Sequence, residues 1–114
     1  DVLVAGNLFG DIVSDCAAGM AGGVTVAVGV GHGPGVKVYE SPHAASVDVV
    51  GPAGANPYPM VLLMADLLRD AGQAEPAGRL RRACEVALQA GHHTADMGGS
   101  SGCSDVRAAI LAAL

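Results

Sequence analysis

The chain contains no Trp and only three aromatics, Phe9, Tyr39 and Tyr58, among its 114 residues. Large flat side chains therefore fill little of its interior. Ala and Gly, at 21 and 17 residues, make up a third of the sequence, so the interior is expected to consist of closely approaching backbones and small aliphatics. Such a core gains little transfer free energy per residue, and the chain is expected to need a partner surface. Basic residues are also few. Six Lys and Arg against eleven Asp and Glu leave a net charge of −5, and the densest basic group is Arg79, Arg81 and Arg82. That distribution gives no electrostatic case for nucleic-acid binding. No apolar run approaches the roughly 18 residues of a membrane span, because charges, Gly or Pro interrupt each one. A soluble protein with no membrane partner is expected. The three cysteines, Cys16, Cys84 and Cys103, are odd in number and widely spaced, and no basic segment leads into an apolar signal core. A reduced, cytoplasmic setting fits this pattern.

The sequence enters the apolar run Val2-Leu3-Val4 directly from Asp1, without an initiator Met. This reads as a buried strand met midway, and the chain is expected to be the C-terminal portion of a longer one. Gly6 and Asn7 then form a turn, with Asn7 as the expected N-cap of a helix from Leu8 to about Met20. Its apolar residues Ile12, Val13, Cys16 and Ala17 recur at helical spacing, and Gly19, Gly22 and Gly23 end it. Val24 to Val30 predicts a strand that dissolves into a flexible loop at Gly29, Gly31, Gly33, Pro34 and Gly35, and Val36 to Glu40 predicts another strand. Ser41 to Asn56 predicts a long ordered loop, a length more typical of binding segments than of connectors. Asn56-Pro57 predicts an N-cap and helix start, with Met60, Leu63, Met64, Leu67 and Leu68 inward and Gly72 at the end. A further helix is predicted from about Glu75 to Ala90 with Leu80, Cys84, Ala87 and Leu88 inward and Gly91 closing it. A last short one begins near Ser104 and Asp105 and carries Val106, Ile110 and Leu114.

Several residue types could carry chemistry. Asp11 and Asp15 stand four apart on a predicted helix, so both carboxylates project from one face and repel by about a few tenths of a kcal/mol. A hard divalent ion such as Mg²⁺ or Mn²⁺ relieves that repulsion, because it takes oxygen ligands and leaves positions open for water or substrate. The competing account is that acidic residues favour the first turns of any helix. Asp48, in the long loop with His43, could accept hydrogen bonds from both hydroxyls of a ribose, or could close an Asx turn. The adjacent His92 and His93 have no Cys or carboxylate at ligand spacing and read as a solvated helix end. The glycine run from Gly29 to Gly35 precedes a strand rather than a helix, which is the wrong context for a phosphate loop. Cys84 reads as a small buried hydrophobe, and neither it nor Cys103 has the neighbours of a nucleophile.

Taken in order, Asp1-Val-Leu-Val, Asn7-Leu-Phe-Gly-Asp11-Ile-Val-Ser-Asp15 and Ala17-Ala-Gly-Met-Ala-Gly-Gly23 resemble the metal-binding region of the isocitrate and isopropylmalate dehydrogenase family. The likeness continues through Glu40, His43, Asp48, Gly51 and Ala55-Asn-Pro57 to Thr94-Ala-Asp96-Met-Gly-Gly99, Ser104 and Asp105. It implies an α/β fold, a sheet flanked by helices that is incomplete in this portion. Residues 1–21 would end a smaller, dimer-forming domain, and residues 22–114 would complete a larger NAD-binding domain.

The resemblance also implies metal-dependent oxidation of a malate-like 2-hydroxy acid by NAD, followed by loss of CO₂. Isocitrate is favoured over 3-isopropylmalate, homoisocitrate or tartrate by the Gly22-Gly23 and Thr94–Gly99 patterns. Asp11 and Asp15 match two aspartate ligands of Mg²⁺ or Mn²⁺, with a third supplied by the partner subunit of a homodimer. The cation would hold the substrate's hydroxyl and carboxylate and stabilise the enolate formed as CO₂ departs. His43, Ala44, Ala45, Asp48, Val49 and Asn56 fall on the family's adenosine-binding loop, with Asp48 at the ribose and Asn56 near the adenine. The family's catalytic Tyr and Lys lie outside this chain, so no catalytic residue is assigned here and turnover by these residues alone is not expected. Where the family usually shows His-Gly-Ser-Ala-Pro-Asp, this chain has His43-Ala-Ala-Ser-Val-Asp48. Ala44 adds a methyl where backbone approaches closely, and Ala45 removes a hydroxyl. That departure supports a second reading, a non-catalytic subunit or remnant with an associative or regulatory role.

Overall fold

A computed structural model describes residues 2–23, 27–41, 51 and 54–114. Helix α1 (Asn7–Ala21) is followed by strands β1 (Gly29–Gly33) and β2 (Val36–Glu40), helices α2 (Tyr58–Asp70) and α3 (Ala74–Gln89), a 3₁₀ turn (Ala95–Met97) and helix α4 (Cys103–Ala113). The architecture is α/β, its described sheet being a single antiparallel hairpin. No helix among the described residues is long and apolar enough to cross a membrane.

The core is built where α2, α3 and α4 meet. Tyr58, Ala83, Cys84, Ala87, Val106 and Ile110 form one buried cluster, with Val61, Leu62, Leu80 and Leu88 packed around it. Small residues on α3 let the flanking helices approach closely, as the Ala-rich composition predicts. Desolvation pushes the Cys84 thiol above its ordinary pKa, in keeping with a packing role rather than a reactive one. Two helices of this unit stop at a glycine in the left-handed region, Gly72 after α2 (φ 79°) and Gly91 after α3 (φ 88°). At the start of α4, Asp105 Oδ2 accepts a hydrogen bond from the Gly102 N–H at 2.9 Å.

Four sequence expectations are corrected. Residues Val2–Val4 form no strand and are exposed, since a strand requires a partner edge and no described element offers one. Gly6, rather than Asn7, is the N-cap of α1, and Ile12, Val13, Cys16 and Ala17 are exposed; Ala18 is the helix's one buried residue. The glycine run expected to be a loop is itself β1, paired from Gly29↔Glu40 to Gly33↔Val36. Pro34 and Gly35 supply the two-residue turn, and Gly35 takes φ 73°, which an L side chain resists. Finally, Met60, Met64 and Leu67 are exposed on α2, while Tyr58, Leu63, Ala65 and Asp66 are buried. The inward stripe is rotated because Asp66 can be buried. Its Oδ1 lies 2.5 Å from Arg81 and 2.8 Å from Arg69, so its charge is compensated across α2 and α3.

An isolated two-stranded hairpin is marginal in water, and this one is docked on α2 by a polar clasp. Lys37 and Tyr39, two apart on β2, face the same way and both donate to Asp70 Oδ2, at 2.6 and 2.7 Å. The hydrogen bond from Lys37, then that from Tyr39, holds the Asp70 carboxyl below its ordinary range, and the same bonds raise the pKa of Lys37 and Tyr39. A lowered carboxyl pKa contributes stability that is complete above the unfolded value of 3.8 and is lost as pH falls through the folded value. The raised Lys37 and Tyr39 values contribute stability that is complete below 10.5 and 10.0 and is lost at higher pH. Hydrogen exchange of the hairpin amides is therefore expected to stay slow from mildly acidic to mildly alkaline pH. It should accelerate at both extremes before the helical core opens.

Candidate functional site

On α1, Asp11 and Asp15 lie one turn apart, and both are exposed. Among the described residues neither makes an ion pair, and the Ser14 hydroxyl donates to the Asp11 backbone carbonyl at 3.0 Å rather than to a carboxylate. No group of three His, Cys, Asp or Glu side chains able to hold a metal occurs among the described residues. The pair thus presents two hard oxygen donors one turn apart, with the exposed Cys16 of the same helix adjacent to Asp15 in sequence. Such a donor pair fits a Mg²⁺ or Mn²⁺ ion whose other positions are filled by water, substrate or a second subunit.

A second group of residues forms around Asn56. Its Oδ1 accepts a hydrogen bond from the Tyr58 N–H at 3.0 Å, capping α2 from one residue before the N-cap, Pro57. Its Nδ2 donates to Asp96 Oδ2 at 2.8 Å, tying the start of α2 to the 3₁₀ turn. Both ends of the Asn56 carboxamide are therefore oriented. Tyr58 completes the arrangement, its ring buried in the core and its hydroxyl donating to the His92 carbonyl at 2.8 Å. Desolvation raises the phenol pKa above its usual value, which keeps the donor proton in place.

His92 and His93 are half-buried rather than solvated, because their backbone is used. The His92 carbonyl receives Tyr58, the His93 carbonyl receives the Ser101 N–H at 2.9 Å, and His93 Nε2 lies 3.0 Å from the Leu88 carbonyl. Gly99 is required in this turn, since an added Cβ would fall on the His93 carbonyl oxygen. Gly99→Ala is expected to destabilise the protein by about 1–3 kcal/mol through overpacking. Urea unfolding checks the value, and a change near zero would mean that the turn relaxes freely.

Sequence reasoning placed Asn56 at the site but missed its link to Asp96 and the part played by Tyr58. An Asn-Pro pair just before an aromatic helix start was the available signal. His43, Ala44, Ala45, Asp48 and Val49, expected at an adenosine-binding loop, lie outside the described residues.

Compared with known proteins, residues 1–110 match the model of the isocitrate/isopropylmalate dehydrogenase family. The chain belongs to that family. The chain is 40% identical over 100 residues to the 3-isopropylmalate dehydrogenase of Archaeoglobus fulgidus, a match covering 88% of this chain and 31% of that protein. It is 37% identical over 114 residues to the isocitrate/homoisocitrate dehydrogenase of Thermus thermophilus, covering all of this chain and 34% of that protein. The crystal structure of isocitrate dehydrogenase from Methylococcus capsulatus superposes with a TM-score of 0.84 at 33% identity, covering 94% of this chain and 32% of that one. The chain therefore spans about a third of the length of the relatives it matches. Isocitrate/isopropylmalate dehydrogenase architecture also accounts for the expected α/β class.

Proposed function

We propose that the protein containing this chain is a Mg²⁺- or Mn²⁺-dependent, NAD-linked oxidoreductase that oxidises and decarboxylates a malate-like 2-hydroxy acid. The observation that carries this reading is the exposed Asp11–Asp15 pair, one turn apart on α1 and without an ion-pair partner among the described residues, in a chain belonging to this family. When bound, the cation would polarise the substrate's hydroxyl and carboxylate and stabilise negative charge as CO₂ leaves. Asp11 and Asp15 hold the ion and fix its position against the substrate. Asn56, oriented by Asp96 and by the Tyr58 N–H, faces the adenine end of NAD. Asp48 is assigned to the adenosine ribose, where a carboxylate accepts from both hydroxyls and repels a 2′-phosphate.

Residues 1–21 are assigned to a smaller domain that pairs with a second subunit and 22–114 to the larger NAD-binding domain. The near-complete exposure of α1, with one buried residue, supports that division. The working unit is a cytoplasmic homodimer with a metal site shared between subunits. Isocitrate is the favoured substrate on the Gly22-Gly23 and Thr94–Gly99 patterns. Relatives named for 3-isopropylmalate and for isocitrate or homoisocitrate match at 37–40% identity, so all three are to be assayed, with tartrate.

The altered loop His43-Ala-Ala-Ser-Val-Asp48 favours one second reading, a non-catalytic subunit with an associative or regulatory role. Calorimetric titration of the protein at its natural length with Mn²⁺ and then NAD separates the two. Saturable binding of both is expected. Metal binding without NAD binding would favour the second reading.

A further inference from the structure

We draw no further inference here: the strongest candidate, the apolar groove between α2 and α4 lined by Met60, Met64, Leu111 and Leu114, is an unpartnered face, and nothing in the structure shows what covers it.

Discussion

Asp15→Asn, and equally Asp11→Asn, is expected to lower Mn²⁺-dependent turnover by about 10²–10³-fold while leaving the metal-free protein no less stable. The two halves of this expectation come from the same geometry. Two carboxylates one turn apart on an exposed helix face repel each other, and neither has an ion-pair partner among the described residues. Neutralising one removes repulsion and takes away no contact, so metal-free thermal unfolding should hold or rise slightly. A metal ligand is a different matter, because the amide is a poor donor to a hard cation and the ion's hold on the substrate depends on it. In the parent, added Mn²⁺ should raise the unfolding temperature by mass action, and in either variant that rise should shrink or vanish. A variant that loses metal-free stability, or one that keeps its Mn²⁺ response, would show that the pair serves the helix rather than an ion.

Tyr58→Ala should have the largest structural effect. The side chain is buried in the cluster formed by Ala83, Cys84, Ala87, Val106 and Ile110, and its truncation is expected to cost about 3–5 kcal/mol. Tyr58→Phe keeps the ring but strips the His92 carbonyl of its donor, an expected loss of about 1–3 kcal/mol. Urea unfolding followed by far-ultraviolet circular dichroism gives both values. The difference between them separates ring packing from the hydroxyl bond that holds the His92–Gly99 segment against α2. The Phe variant should leave the Asn56–Asp96 bond in place, since the Tyr58 N–H still receives Asn56 Oδ1. Equal losses in the two variants would contradict this division of roles.

The helices α3 and α4 were legible because their patterns are local. Cys84, Ala87 and Val106, Ile110 recur at helical spacing, and Gly91 lies just past α3, so the predicted span Glu75–Ala90 differs from Ala74–Gln89 by one residue at each end. Strand β2 was equally plain from Val36 to Glu40. What escaped was non-local. Glycines carry no strand propensity of their own, and β1 exists because Val36–Glu40 pairs with it across a Pro-Gly turn. The inward face of α2 was misjudged because Asp66 looks solvent-facing until Arg81, fifteen residues on, is seen against it. Asp70 and Asp96 find partners 31–40 residues away, a distance over which spacing rules are silent. At the site, the Asp11–Asp15 spacing alone left two accounts open, and the ordered run of motifs from Asn7 to Asp105 favoured the metal through its resemblance to the family. The strand expected at Val2–Val4 needs an edge that no described element provides.

The most direct test of the account is NADH formation by the protein at its natural length, with Mn²⁺ and isocitrate, homoisocitrate, 3-isopropylmalate or tartrate, before and after chelation of the metal. The account predicts that NADH and CO₂ appear together and in equal amounts, fastest with isocitrate, that both stop on chelation, and that both return with added Mn²⁺. Saturable Mn²⁺ binding with no NADH from any of the four acids would contradict it, and would leave the chain as part of a non-catalytic member of its family.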